Sequence, residues 1–305
     1  MNYNCGDPLI NIAYKMCKKV FVSLSKINYA VLKGEPLSIF AYGELGRRSS
    51  CDIDILVLRK DLRKIENILI QNGFETHNNI REDRITMLSS SHQIAPYVKK
   101  GILYSPTFDL NIDLFWGEYI GKRINLEDFL SDTVEMNIYG CKVKSLTKLK
   151  MMIQLMLHNY KEMNSIYHLA THDCINYNMF KDVYFLWKNN QDEISLESIL
   201  AISKEYDIIP YVYYILYYTN QIFNDQKLKK YVDTLRTTEG ENLINVYGLT
   251  KNEQKTWKVD FSTRLETNNM FDLIKKDLTN SDIEKLNFNR KMFGNESTPF
   301  RFNRR

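Results

Sequence analysis

The chain has 305 residues and a mass of 36.1 kDa, with 44% hydrophobic and 26% charged residues. This composition supports a sizeable buried core and excludes a disordered or collagen-like chain. The 41 Lys and Arg residues exceed the 37 Asp and Glu residues by four, so the overall charge does not require nucleic acid or a membrane as a partner. The length fits one large domain or two of ordinary size.

Cysteine usage and hydropathy indicate the cellular compartment of the protein. Five cysteines are scattered along the chain and never form a CxxC pair. A disulfide scaffold or zinc ribbon needs pairs at ligand spacing, so the pattern favours a reducing, cytoplasmic compartment. The N-terminus has no secretory signal pattern. The most apolar stretch, residues 208–223, is shorter than the ~20 apolar residues of a membrane span, and it predicts a buried helix and no membrane partner.

The first half of the chain alternates between helix and strand signals. An amphipathic helix is predicted from Asp7 to about Asn28. The predicted elements that follow are a strand at Tyr29–Lys33, a short helix at Glu35–Tyr42, a strand at Asp52–Leu58, a helix at Leu62–Asn72, and strands near Arg84–Leu88, His92–Lys99 and Thr107–Trp116.

From Ser145 onward the apolar spacing is helical, with short polar joints. The predicted helices are Leu146–Tyr160, Met179–Asn189, Leu196–Tyr206, Ile208–Phe223 and Leu228–Arg236. The change of pattern near residue 140 predicts an α/β part at residues 1–140 and a helical part at residues 141–305. The predicted fold class is therefore α+β.

Asp52, Ile53 and Asp54 form the most informative triplet. On a strand, residues i and i+2 share a face, so the two carboxylates project side by side while Ile53 points into the core. Carboxylates this close repel each other, and a divalent cation between them relieves the repulsion. The alternative is a solvated or loop-capping acidic pair. A third carboxylate would complete an all-oxygen magnesium site, with Asp113 as the first candidate and Asp109 as the alternate.

Residues suited to phosphate lie between the first strand and this pair. Gly34 follows Lys33 at the start of the short predicted helix, where a glycine lets backbone N–H groups approach phosphate. Arg47 and Arg48 offer guanidinium groups to phosphate oxygens. The alternative is that Gly34 is a turn residue and the three cations are solvated.

Several motifs follow one another: an apolar LKG segment, a short helix with a tyrosine, a Gly/Arg loop, DIDILV, a helix ending in NGF, and IDLFW. This order resembles the uncharacterised nucleotidyltransferase family of the polymerase-beta superfamily. It is also similar to nucleotidyltransferase toxins with a lysine-glycine turn. The specific motifs cover residues 29–116, while residues 146–160 resemble the family's first C-terminal helix, with His158 as its histidine. From the apolar helix around it, we expect His158 to be a core or cleft-wall residue.

The resemblance implies a nucleotidyltransferase palm with a mixed β-sheet, followed by a mostly helical domain. In this palm Asp52, Asp54 and Asp113 would be the catalytic, metal-binding carboxylates. The cofactor implied is Mg²⁺, with Mn²⁺ as its substitute.

The resemblance also implies phosphate-binding roles for Lys33, Gly34, Arg47 and Arg48, with Gly34 at the glycine turn that faces the triphosphate. Glu35 departs from the family, which has a second Gly or Ser there. Many relatives also have a histidine where this chain has Phe115.

The implied function is Mg²⁺-dependent transfer of a nucleotidyl or related phosphate-linked group from an NTP, ATP or GTP, to an acceptor hydroxyl or phosphate. The helical domain would select the acceptor. Relatives of this family accompany peptide natural-product gene sets, so the resemblance favours a small-molecule or peptide acceptor, and peptide tailoring, over RNA. Two alternatives stay open: a toxin-like enzyme that acts on RNA, and a palm without turnover that serves as a binding module.

The basic excess is concentrated at the C-terminus. Six basic residues and one glutamate lie between Lys285 and Arg305, which leaves a net charge of −1 for residues 1–284. This pattern predicts a basic tail that either closes over an anionic substrate or is solvated.

Overall fold

The computed structural model describes residues 8–48, 52–76, 86–88, 91–101, 104–116, 124–171 and 175–292. The main sheet consists of β1 (Tyr29–Val31), β2 (Ile53–Val57), β3 (Glu75–Thr76), β4 (Tyr97–Val98), β5 (Thr107–Asn111), β6 (Val134–Ile138) and β7 (Cys141–Ser145). A separate small hairpin consists of β8 (Val246–Tyr247) and β9 (Lys255–Thr256).

Helices cover both faces of the sheet. The helices of the first half are α1 (Pro8–Met16), α2 (Lys18–Leu24), α3 (Glu35–Tyr42), α4 (Leu62–Gln71) and α5 (Leu126–Phe129). Those of the second half are α6 (Lys148–Asn164), α7 (Ile166–Thr171), α8 (Asn178–Lys188), α9 (Leu196–Glu205), α10 (Ile209–Phe223), α11 (Gln226–Leu235), α12 (Thr238–Ile244), α13 (Phe261–Glu266), α14 (Met270–Ile274) and α15 (Asn280–Met292). This arrangement confirms the α+β class.

The main sheet is mixed, with strand order β3-β4-β5-β2-β1-β7-β6. The strand β2 pairs in parallel with β5 and antiparallel with β1, and β1 pairs in parallel with β7. The remaining pairs are antiparallel. The acidic motif therefore lies on a strand in the middle of the sheet.

Strand β2 is buried on both faces because it lies between two hydrophobic cores. Ile53, Ile55 and Val57 belong to a smaller core shared with α1, α2 and α4. Leu56 belongs to a larger core built mainly from the helices of the second half. Side chains alternate along a strand, so Asp54 points to the face that the helical half covers.

Several predicted elements are confirmed, and four need correction. Helix α3 has the predicted bounds, and the long opening helix is two helices, α1 and α2, interrupted at Cys17. The strand predicted near residues 84–88 is wrong where it is described, because residues 86–88 are helical. The strand predicted at Thr107–Trp116 ends at Asn111, and that predicted at His92–Lys99 is reduced to β4.

The hairpin of β6 and β7 was not predicted. Its two-residue turn is Tyr139-Gly140, with positive φ angles of 49° and 81°, as in the tight turns that suit twisted hairpins. Since β7 pairs with β1, the main sheet continues to Ser145. The division at residue 140 stays a proposal, and the larger core contains residues from both sides of it.

Of the basic C-terminal tail, residues 293–305 lie outside the described residues. In the part of the chain that the structure describes, no helix is long and apolar enough to cross a bilayer.

Candidate active site

Three carboxylates meet on the sheet face that the helical half covers. Asp52, Asp54 and Asp109 each place an oxygen within 4.8 Å of the others. The parallel pairing of β2 and β5 sets Asp54 directly beside Asp109. Asn111, two residues along β5, donates from Nδ2 to Asp54 Oδ1 at 3.4 Å. The side-by-side acids predicted from the Asp-x-Asp motif therefore lie together with a third carboxylate.

The third carboxylate of this group is Asp109, the alternate, rather than Asp113. The register of β5 against β2 determines this, because it pairs Asp54 with Asp109 while Asp113 lies beyond the end of the strand. Asp113 Oδ1 instead accepts hydrogen bonds from the backbone N–H groups of Leu114 at 2.8 Å and Phe115 at 3.2 Å. The role of Asp113 as a metal ligand stays a prediction, and the geometry brings its alternate, Asp109, to the acidic pair.

The cluster has a strong local electrostatic field. Burial, together with the neighbouring Asp54 and Asp52, raises the pKa of Asp109 to about 7. Lys33 lies 3.0 Å from Asp54, measured from Nζ to Oδ2. Burial acts against the charge of Lys33, but Asp54 and Asp52 outweigh it and hold its pKa above the ordinary value. Negative charge is thus concentrated at the cluster and partly balanced by one ammonium group.

Gly34 supplies the turn between β1 and α3. Its φ of 63° and ψ of −127° lie in a region that glycine alone adopts readily. Glu35, at the first helical position, is fully buried, and its Oε2 accepts a hydrogen bond from Gly46 N at 2.8 Å. Ser38 accepts from Arg47 N at 3.0 Å. Glu35, which departs from the family pattern, therefore anchors the Gly/Arg loop to α3.

The two arginines of this loop form different ion pairs. Arg47 is half-exposed and pairs with Glu44 at 2.6 Å. Arg48 donates from Nε to Asp182 Oδ2 at 2.8 Å, and Asp182 Oδ1 accepts from the Tyr42 hydroxyl at 2.6 Å. Asp182 lies on α8 and is buried, so this arrangement ties the loop to the helical half. The buried carboxylate also contributes, after burial itself, to a raised pKa of Tyr42.

A cavity of about 300 Å³ lies between the loop and the helical half. It is lined by Tyr42, Arg47, Arg48 and residues of α6, α7 and α8. Lys181 of α8 also lines it, with Nζ 5.7 Å from the centroid of the Tyr42 ring. Among the described residues, no carboxylate lies within 4.0 Å of this ammonium group.

The far wall of the cavity contains an ionised carboxylate among imidazoles. Glu162 Oε1 lies 3.0 Å from His168 Nε2, 3.1 Å from Lys161 Nζ and 3.9 Å from His158 Nε2. Burial acts against its charge, but Lys161 and His168 outweigh burial and hold the pKa of Glu162 well below its usual range. Burial, then Lys33 and Lys161, lowers the pKa of His158. His158 is therefore a neutral cleft-wall residue, and it lies close enough to Lys33 for the charge of Lys33 to affect its pKa.

Residues 15–224 match the model of a family described as uncharacterised nucleotidyltransferases. The match covers more than half of the chain, and the protein belongs to this family. Comparison with curated protein sequences gives no significant match.

Two solved structures are similar in fold. One is an antigenic nucleotidyltransferase-like protein from Paracoccidioides brasiliensis, with 15% identity and a TM-score of 0.37 over 68% of this chain and 93% of that chain. The other is the antibiotic-resistance factor ANT(2'')-Ia, with 10% identity and a TM-score of 0.38 over 64% of this chain and 94% of that chain.

The structure also reveals site residues that the sequence did not indicate. Asn111, Glu162, Lys181 and Asp182 all lie at the acidic cluster or on the cavity. The sequence could have indicated Asn111, because it lies two residues after Asp109 and therefore on the same face of the strand. The other three lie on helices of the second half, and no local motif connects them with the Asp-x-Asp strand.

Proposed function

We propose that the protein is a Mg²⁺-dependent nucleotidyltransferase that uses an NTP, ATP or GTP, as donor. The main support is the meeting of Asp52, Asp54 and Asp109 on two parallel strands beside the Gly34 turn. Membership of the nucleotidyltransferase family supports the same reaction class. The scattered cysteines favour a cytoplasmic location, and Cys17 and Cys141 are buried free thiols.

The donor set of the cluster fits a hard divalent cation. Three carboxylates and no nitrogen or sulfur ligand offer the oxygen-only environment that Mg²⁺ or Mn²⁺ prefers. Burial, and then the negative charge of Asp54 and Asp52, raises the pKa of Asp109, and a bound cation would relieve the repulsion among these carboxylates. When bound, the cation would lower the pKa of the acceptor hydroxyl and neutralise charge that develops on the α-phosphate. Asp113 lies outside this group, and in this proposal its carboxylate holds the backbone that follows β5 through Leu114 N and Phe115 N.

The donor's phosphates would lie between the Gly34 turn and the cavity. Gly34 allows the backbone N–H groups of Glu35 and Leu37 to approach an anion, since no Cβ blocks the turn and Pro36 between them has no N–H. Arg47, Arg48 and Lys181 add positive charge on the cavity wall. Arg48 uses Nε for Asp182, and a guanidinium has further N–H groups for a phosphate oxygen. Lys33 completes the set beside the acidic cluster.

The size of the cavity favours a small acceptor over RNA. A volume of about 300 Å³ matches the lower range of small-molecule sites and is far below what a folded RNA requires. Glu162 and His158 on its wall offer hydrogen bonds to a hydroxyl or amide of a small molecule or a peptide end. Peptide tailoring is the proposed role, and the helical half selects the acceptor.

Intact-mass analysis tests the proposed reaction directly. The protein is incubated with Mg²⁺, each of the four NTPs in turn, and a panel of sugars, nucleosides and short peptides. We expect one acceptor class to gain the mass of a nucleoside monophosphate, with equimolar pyrophosphate release. The gain should disappear with EDTA or with Asp54→Asn. Modification of RNA with no modification of small molecules or peptides would overturn the proposed acceptor class.

A further inference from the structure

The ammonium group of Lys33 forms an ion pair with one of the three carboxylates of the acidic cluster. Its Nζ lies 3.0 Å from Asp54 Oδ2, and the two side chains are 16% and 6% exposed. The other oxygen, Asp54 Oδ1, accepts the hydrogen bond from Asn111. The backbone places the lysine here, because Leu32 N donates to Asp54 O at 3.0 Å across β1 and β2. The sheet thus fixes the backbone from which the Lys33 side chain reaches the cluster.

A cation in this position reduces the repulsion among the carboxylates of the cluster. Three carboxylates lie within 4.8 Å of one another in a region largely shielded from water, where like charges repel strongly. Removing a buried charge's partner leaves that charge uncompensated and destabilises the fold. Among the described residues, Lys33 is the cation that contacts the cluster within 4.0 Å. It compensates part of the negative charge in the protein as it stands.

A divalent cation and the Lys33 ammonium group cannot both use Asp54 without repelling each other. A metal held by Asp52, Asp54 and Asp109 would take an Asp54 oxygen as ligand and place two positive charges close to Nζ. The lysine side chain is long and flexible, so it can leave Asp54 while its backbone stays in the sheet. It precedes Gly34, the turn at which the donor's phosphates are proposed to lie.

We propose that Lys33 is the internal counter-cation of the acidic cluster, and that a divalent ion displaces its ammonium group from Asp54 toward the donor's phosphates. The inference rests on the proposed function and adds a binding order, in which the metal ion binds before the nucleotide. Metal loading precedes the availability of Lys33 for phosphate, so metal and nucleotide bind cooperatively. Without metal, the lysine keeps the cluster compact and lowers its affinity for stray cations.

The test measures Mn²⁺ binding by calorimetry, without nucleotide, on wild type and Lys33→Met. Methionine keeps the length of the side chain and removes the charge. We expect Lys33→Met to bind Mn²⁺ at least about tenfold more tightly than wild type, because the competing cation is gone. Lys161→Met removes another buried lysine, paired with Glu162 instead of the cluster, and should bind Mn²⁺ as wild type does. Equal or weaker Mn²⁺ binding by Lys33→Met overturns the inference.

A second measurement on the wild-type protein does not depend on whether the variant folds. The rate of reductive methylation of Lys33 is followed by peptide mass spectrometry with and without Mn²⁺. A displaced ammonium group loses its ion pair, so Mn²⁺ should raise the modification rate of Lys33 and leave that of Lys161 unchanged. An unchanged or slower rate at Lys33 contradicts displacement.

The outcome also separates this inference from the proposed function. If Asp54→Asn abolishes Mn²⁺ binding while Lys33→Met leaves it at the wild-type value, the metal site stands and the counter-cation role falls. If wild type binds no Mn²⁺, the metal-dependent function and the inference both fall.

Discussion

Asp54 and Asp109 are direct neighbours across two parallel strands that are far apart in the sequence. Their carboxylates, with that of Asp52, lie close enough together to share one ion. Both side chains point to the face of the sheet that the helical half covers, and residues of that half line much of the 300 Å³ cavity. This relationship distinguishes the proposed catalytic centre from an ordinary exposed acidic pair.

The first prediction separates the two candidates for the third carboxylate. Asp109→Asn should weaken Mn²⁺ binding at least about tenfold and abolish Mg²⁺-dependent pyrophosphate release, because it replaces a charged carboxylate with a neutral amide. Asp113→Asn is the matched control. Its amide oxygen can still accept from Leu114 N and Phe115 N, so metal affinity should stay within about twofold of wild type. The opposite ranking of the two variants, measured by calorimetry, would restore Asp113 as the ligand.

The second prediction concerns the cavity cation on α8. Lys181→Ala should weaken binding of a Mg²⁺-bound NTP about tenfold and leave nucleoside binding unchanged, because Lys181 would contact phosphate rather than base or sugar. Lys188 lies on the same helix but pairs with Asp225 at 2.7 Å, away from the cavity. Lys188→Ala should therefore bind the NTP as wild type does. Equal effects of the two variants in isothermal titration would exclude a specific role for Lys181.

The third prediction concerns the link between the Gly/Arg loop and the helical half. Asp182→Ala leaves Arg48 and the Tyr42 hydroxyl without their shared buried acceptor. Arg48 is a quarter exposed and regains some hydration, so we expect a loss of about 2 kcal/mol in the free energy of unfolding. Asp192→Ala, at an exposed position, should change it by less than about 0.5 kcal/mol. Urea unfolding followed by circular dichroism compares them, and similar midpoints would refute the structural role of Asp182.

The fourth prediction concerns pH. Burial, and then Lys161 and His168, holds the pKa of His92 well below its ordinary 6.5. Lys33 also faces it and acts in the same direction, whereas Glu162 opposes them. The unfolded chain therefore binds more protons at this site below pH 6.5, so the contribution of His92 to the free energy of unfolding should fall as the pH drops below that value. The lowered pKa of His158 acts in the same direction, and the raised pKa of Asp109 acts in the opposite direction.

The contribution of His92 is at most about 1.4 kcal/mol per pH unit, and His92→Gln should remove it. The lowered pKa of Glu162 adds a separate loss only below its ordinary 4.5. Urea unfolding in EDTA between pH 8 and pH 5 measures the slope. A slope that is the same in wild type and His92→Gln would show that His92 does not titrate as described.

Local sequence signals predicted much of the fold. Gly34 before Glu35 and Pro36 marks the start of α3, and its bounds agree with the structure. The apolar spacing of the second half predicted α8 to α11 to within two residues at each end. The hairpin of β6 and β7 was missed because its turn, Tyr139-Gly140, lacks the Asn-Gly or Asp-Gly signal of such turns.

The site was predictable only where one local motif contains it. Asp52 and Asp54 follow from strand alternation, which needs no knowledge of the partner strand. Alternation alone cannot choose between Asp109 and Asp113, because both lie on the same face of the predicted strand. The choice depends on the register of β5 against β2. Lys181 and Asp182 lie more than a hundred residues from the acidic strand, and only the packing of α8 against α3 and the Gly/Arg loop brings them to the cavity.

Nucleotide binding by calorimetry tests the central claim most directly. Wild type and the double variant Asp54→Asn/Asp109→Asn are titrated with a non-hydrolysable analogue of each NTP, in Mg²⁺ and in EDTA. Wild type should bind one equivalent of at least one analogue in Mg²⁺. This binding should be lost in EDTA and in the double variant, which should stay folded as judged by its circular dichroism spectrum. Failure of wild type to bind any of the four analogues, or binding that persists in EDTA and in the double variant, would contradict the claim.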